Sequence, residues 1–306
     1  MQDPIYRRLR ETPRPTLRDA GLLLLLATAG LWLSAALASR LPFRGWAGMA
    51  VLNALYYLPF MLAPVLLCAA RGGATASLRL NPVPRGMLLP VILLALMSVY
   101  SASALTYGWT ALLSRLGLEA GPVPAAPESR RALSLAILCT AALPAVCEEL
   151  LFRGVVLSAW ESRGTRLALG ATTALFALLH GDLYGWPAYL LVGGVAGALT
   201  VTLDSLYAGI TFHTVYNAAC LIVAYAAAGM GETGAGPLTA AELAQVMLRL
   251  LFNLALTALL LGAFRRRAAR EGVVFIPRIR RPLSASERLW LGLAAAAMAI
   301  TTILQI

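Results

Sequence analysis

Seven ionisable side chains and one amide fall inside stretches of this chain that are otherwise apolar: Glu148, Glu149, Arg153, His180, Asp204, His213 and Arg249, with Asn217. Charge within a bilayer is costly, so residues that carry it there mark sites or pathways by default. The sequence contains two histidines, and both belong to this set. Glu149 and Arg153 are four residues apart, so on a helix they share a face and can pair across one turn. Glu148, rotated about 100° from Glu149, is free to face a different neighbour. The pairs Phe176/His180 and His213/Asn217 repeat the four-residue interval. A pocket gathering these groups would hold carboxylate, imidazole and amide, the parts needed to activate water and to stabilise an oxyanion. No serine is spaced with a partner that would make it a nucleophile. The output of such a set is hydrolysis of an amide or ester. Intramembrane Glu, Arg and His also build proton relays and transport sites, but the internal symmetry and paired broken helices of a transporter are not evident in the sequence.

The elements that must carry these residues follow from composition. Of 306 residues, 59% are hydrophobic and 13% charged, and the mean hydropathy is +0.76. A soluble domain of this length would need more polar surface, so the class is a polytopic membrane protein. Apolar runs reach the roughly 20 residues that a spanning helix needs, and no stretch alternates like a membrane barrel strand. The runs are about 21–39, 46–70, 87–114, 132–159, 166–181, 186–203, 207–228 and 243–264, with a final one at 289–306. They predict an all-α polytopic transmembrane helical bundle of eight spans, or nine if 289–306 crosses, around a central intramembrane polar cavity. The GGVAGALT stretch inside 186–203 allows close helix approach. The chain divides into a basic leader (1–20), a transmembrane domain (21–264), an Arg-rich segment (265–288) and the last apolar helix.

The net charge of +11 comes from 25 arginines and no lysine. These cluster at the ends of apolar runs, where topology is determined, and not in a patch suited to nucleic acid. Arg7, Arg8, Arg10, Arg14 and Arg18 precede the first span. Arg71, Arg79 and Arg85 follow the second, Arg163 and Arg166 the fourth, and eight arginines between 265 and 288 the eighth. With eight spans all of these lie on one side, which the positive-inside rule makes cytoplasmic; Arg40 and Arg44 count weakly against it. Cys68, Cys139, Cys147 and Cys220 sit in apolar runs at unrelated spacings and read as small buried thiols. Asp182 and Asp204 read as loop or helix-end residues, and Arg249 as a side chain that snorkels to a helix end.

EELLFR at 148–153, FALLH at 176–180 and HTVYN at 213–217, in that order, resemble the CAAX-protease and bacteriocin-processing family of intramembrane proteases, as does the AGI that precedes TFHTVYN. That family carries E-E-x-x-x-R, F-x-x-x-H and H-x-x-x-N or H-x-x-x-D on three membrane helices. The likeness covers about 130–225. It implies Glu148 as the base that activates water, Glu149 as its support, His180 as a positioner of that water, and His213 with Asn217 as the oxyanion site. Arg153 then anchors the carboxylate pair, and Phe176 supports the site. Members of the family have been read both as zinc enzymes and as metal-free glutamate enzymes. Glu148, His180 and His213 are the set that zinc would use, and a metal-free mechanism fits as well. The implied substrate is a membrane-embedded or lipid-anchored peptide or protein in the bilayer: a CAAX-like tail, a peptide precursor, or the C-terminal anchor of a surface protein. Some relatives confer bacteriocin immunity, so an inactive member is the alternative. The arginine-only basic set, with abundant Ala and Gly, points to a GC-rich bacterial source and hence to an inner membrane with the N-terminus cytoplasmic.

Overall fold

The computed structural model describes residues 14–38, 40, 45–72, 78–119, 125–229, 239–273, 275–277, 279 and 282–304. Arg7, Arg8, Arg10, Arg44, Arg278, Arg280 and Arg281 therefore lie outside the described residues. All regular structure among the described residues is helical. Lipid offers no partner to a backbone N–H or C=O, so apolar sequence of this kind closes its hydrogen bonds within each segment. Among the described residues nine rods result: α1 Leu17–Ala38, α2 Gly45–Ala70, α3 Leu88–Arg115, α4 Arg130–Glu161, α5 Thr165–Leu179, α6 Trp186–Thr202, α7 Leu206–Gly229, α8 Ala240–Arg270 and α9 Ala285–Leu304. Seven are long and apolar enough to cross a membrane, and the protein is an integral membrane protein. Along α8, Leu248, Phe252 and Leu259 are 70%, 66% and 66% exposed, a stripe that faces lipid.

The expectation of eight or nine full spans meets a physical limit at α5 and α6. At 15 and 17 residues they extend about 22 and 26 Å, short of a hydrocarbon core of about 30 Å. The apolar runs at 166–181 and 186–203 have nearly these bounds, so it is length and not placement that separates them from full spans. They pack on each other as a hairpin.

α4 is built into one of two apolar cores. Leu151 and Phe152 of α4 pack with Leu24 of α1, Met61 of α2, Phe176 of α5 and Met298 of α9. A second core joins Val91 and Leu94 of α3, Val195 and Leu199 of α6, Phe212 of α7 and Phe264 of α8. α7 closes against α4 and ties the second core to it.

Three stretches widen to i→i+5 bonding: Leu58–Leu62, Ile137–Ala142 and Leu150–Val156. The middle one has a clear cause. Pro144 has no N–H to donate, and the Leu143 N–H reaches back to Leu138 O. The Cys139 carbonyl thereby loses its usual partner, and the Asn53 side-chain amide of α2 donates to it at 2.9 Å.

The arginine-bearing segments meet at one end. Arg79, before α3, donates from Nη2 to both oxygens of Glu161 at 2.9 Å and from Nε to Asp204 Oδ1 at 3.0 Å. Arg14 reaches the same Glu161 at 3.3 Å, and Arg163 donates to Pro282 O at 3.3 Å. Leader, α2–α3 link, α4–α5 turn and α8–α9 link thus share a side, and Asp204, as expected, is a turn residue between α6 and α7. Arg249 is exposed. Glu161 is 1% exposed, so removing Arg79 strands a buried carboxylate with one partner. Arg79→Met should cost about 2 kcal/mol, read as a lowered thermal midpoint in detergent, with Arg79→Lys intermediate.

Candidate functional site

The site is assembled from five helices, two more than the three that carry the sequence motifs. Glu148 and Glu149 lie on α4 just before its second wide turn, which holds Arg153. His180 caps the C-terminus of α5. Gly181 follows with φ 66°, the left-handed conformation that ends a helix and that glycine adopts without strain. The chain turns sharply there and leaves the imidazole at the tip of the hairpin. His213 and Asn217 lie one turn apart on α7.

Glu149 is fully buried and pairs with the fully buried Arg153, Oε1 to Nη1 2.9 Å. Arg153 also donates from Nη2 to Gly193 O of α6 at 2.7 Å, and its guanidinium lies 4.6 Å from the centre of the Phe176 ring. The same Glu149 Oε1 is 3.0 Å from His213 Nδ1. One carboxylate therefore joins α4 to α7, and its arginine joins α4 to α5 and α6. Close approach of α7 depends on Gly209. A Cβ there would stand 2.6 Å from Thr200 Oγ1 and 2.8 Å from Glu149 Oε2.

Glu148 faces the other way, into a cavity of about 200 Å³ that Asn53, Tyr57, His180, Tyr189, His213 and Asn217 help to line. Its Oε1 accepts from the Tyr57 hydroxyl at 2.8 Å. Its Oε2 is 4.0 Å from His180 Nε2 and 3.9 Å from His213 Nε2. Both rings are oriented through their other nitrogen. His180 Nδ1 lies 2.8 Å from Phe176 O, a group that only accepts, so Nδ1 carries hydrogen and Nε2 faces Glu148. His180 also stacks on Tyr189 at 3.9 Å. Tyr189 donates to Asp182 Oδ2 at 3.0 Å, and Asp182 accepts the backbone N–H groups of Tyr184 and Gly185 as well. Asp182 is a loop residue, as expected, but one that fixes the wall behind His180. Phe176 touches both imidazoles edge-on, at 4.7 and 5.7 Å.

The three motifs thus come together around Glu148. The cysteines are all free thiols, and Cys147, next to Glu148, is buried. Sequence reasoning did not single out Asn53, Tyr57, Tyr189 or the positioning part of Asp182. Asn53 was detectable as an amide in an apolar run; the tyrosines, counted as apolar, gave no signal.

Zinc does not fit the donors as they stand. Atoms tetrahedrally bound at zinc distances lie about 3.3 Å from each other, whereas Glu148 Oε2 is 3.9 and 4.0 Å from the two nitrogens. Among the described residues no group of three or more His, Cys, Asp or Glu is spaced to hold a metal ion. A gap of 4 Å instead suits one water. An oxygen about 2.8 Å from each of two such atoms subtends roughly 90° at ordinary hydrogen-bond lengths.

Fold and site together define a helical integral membrane protein with a buried acid–imidazole cavity. Comparison with known proteins agrees with the resemblance drawn from the motifs: residues 130–219 match the family model for the type II CAAX prenyl endopeptidases, described as Rce1-like. That stretch holds Glu148, Glu149, Arg153, His180, His213 and Asn217. No curated protein and no solved structure matches the chain.

The crowding at α7 is testable without a substrate. Gly209→Ala should destabilise by about 2 kcal/mol. Gly194→Ala on α6, whose Cβ would meet nothing nearer than 3.9 Å, should be neutral or stabilising by up to about 1 kcal/mol through helix propensity. Thermal melting of the two variants side by side checks this.

Proposed function

We propose that the protein is an intramembrane endopeptidase of the CAAX-protease and bacteriocin-processing type, hydrolysing a peptide bond in a membrane-associated substrate with water activated by Glu148. The observation that carries this reading is the convergence of both imidazole Nε2 atoms on the one Glu148 oxygen that Tyr57 leaves free. The match of 130–219 to a peptidase family supports the reaction class.

In this reading a water donates to Glu148 Oε2 and to His180 Nε2, which leaves an oxygen lone pair directed at the scissile carbonyl. As the C–O bond forms, the water proton passes to Glu148. The negative charge that builds on the carbonyl oxygen is met by the Asn217 amide and by His213 Nε2–H. For that nitrogen to donate while Nδ1 donates to Glu149, the ring carries both protons, and with Arg153 it faces the two carboxylates Glu148 and Glu149. When the C–N bond breaks, Glu148 returns the proton to the departing nitrogen. Arg153 and Phe176 act by holding Glu149 and the two rings. The donor spacing favours the metal-free version of this chemistry.

The surrounding protein is then a peptidase domain over 21–264 with its cavity inside the bilayer. The α5–α6 hairpin enters and leaves on the arginine-bearing side without crossing, so that six crossings precede the Arg-rich segment and α9 forms a seventh. The arginine-bearing end is cytoplasmic, with the chain in a bacterial inner membrane. Substrates are a CAAX-like tail, a peptide precursor or the C-terminal anchor of a surface protein.

Profiling the C-termini of membrane proteins in cells that carry the wild-type or Glu148→Gln chain tests the reading. The variant should melt like the wild type and lose at least about 100-fold in processing; full processing by Glu148→Gln would remove Glu148 as the base. With a substrate in hand, Tyr57→Phe should lower kcat roughly tenfold, the scale of one hydrogen bond to a charged group, while KM stays within twofold.

A further inference from the structure

At the arginine-bearing end, away from Glu148, two connected hollows open beside α5. The outer, about 620 Å³, lies between the start of α5 and the segment after α8, with Gly164, Arg166, Arg265 and Phe275 among its walls. The inner, about 340 Å³, continues between α6 and α8 past Ala198, Ala258 and Leu261. Arg166, Arg265 and Phe275 border both. The outer wall is fixed, since Thr165 N donates to Ile276 O at 3.0 Å and Ile276 N donates to Thr165 Oγ1 at 2.9 Å. The Arg265 guanidinium sits 5.4 Å from the Phe275 ring centre.

Four other arginines at this end have a carboxylate within 4 Å: Arg14, Arg79, Arg163 and Arg267. Among the described residues Arg166 and Arg265 have none, as is also true of Arg18, Arg85, Arg266, Arg270 and Arg288, but Arg166 and Arg265 are the two that border the crevice. Two uncompensated guanidinium groups thus border the mouth of a crevice whose deeper wall is apolar. From Arg265 to Ala258 the crevice follows α8 for about 10 Å. Cation at the mouth and hydrocarbon within match one class of molecule, an anionic phospholipid with its phosphate on the arginines and one acyl chain between α6 and α8.

We infer that the cleft bounded by Arg166, Arg265 and Phe275 is a binding site for an anionic phospholipid, independent of the site at Glu148. Native mass spectrometry of the purified full chain, given equal phosphatidylglycerol and phosphatidylcholine, reads this directly. Phosphatidylglycerol, whose phosphate charge no choline offsets, should bind roughly thirtyfold more tightly, the scale of two arginines facing a net anionic headgroup instead of a zwitterionic one. Arg166→Gln with Arg265→Gln should abolish that preference. Ala258→Trp, at an exposed position on the crevice wall, should lower phosphatidylglycerol occupancy with both arginines intact. Inorganic phosphate at the lipid's concentration should fail to displace it. Equal retention of the two lipids, a preference that survives the double substitution, indifference to Ala258→Trp, or displacement by phosphate alone would each overturn the assignment.

Discussion

The structure depends on a buried ion pair. Glu149 and Arg153 expose none of their side chains, and in a low-dielectric interior two such groups are tolerable only if each is satisfied by the other and by further polar partners. Those partners recruit the rest of the site. Arg153 finds a backbone carbonyl on α6 and the face of Phe176, and Glu149 finds His213 on α7. Four helices are thus fixed relative to one another by groups that lipid cannot solvate. Helix association in a membrane lacks the hydrophobic drive available in water, so a polar hub of this kind confers a specificity that apolar packing alone does not.

The hub also separates two adjacent carboxylates by environment. Glu149 is committed to a cation and an imidazole, whereas Glu148 has one oxygen tied to Tyr57 and the other facing the cavity. A carboxylate held at one oxygen keeps its orientation without losing its acceptor. Each imidazole is likewise oriented by its Nδ1, His180 through a backbone carbonyl and His213 through Glu149. The groups around the cavity are therefore held in place by the protein itself, which is what electrostatic preorganisation requires of a catalytic site.

Membrane sequence makes one part of this legible and obscures another. Polar residues are so few in apolar runs that Glu148, His180 and His213 stand out individually, and their four-residue intervals identify their partners. The fold class is readable for the same reason. The bounds of α5 and α6 are readable too, from the runs 166–181 and 186–203, but composition does not show that apolar runs this short form a hairpin and not two full spans. Tyr57 and Tyr189 escape notice because a phenol reads as hydrophobic while its hydroxyl does the positioning. The widened turns leave no periodic trace where nearly every residue is apolar, although Pro144 marks the place of one of them.

Those widened turns make α4 sensitive to length in a way that it is not sensitive to composition. Within Leu150–Val156 the chain accommodates more residues per turn than a regular helix would. Losing one residue between Glu149 and Arg153 would move the guanidinium one position around the helix, about 100° from where it now points. Most apolar exchanges there leave that geometry alone. A one-residue deletion between Glu149 and Arg153 would turn the guanidinium away from Gly193 O and the Phe176 ring, so register is the property of this segment with the least room to drift.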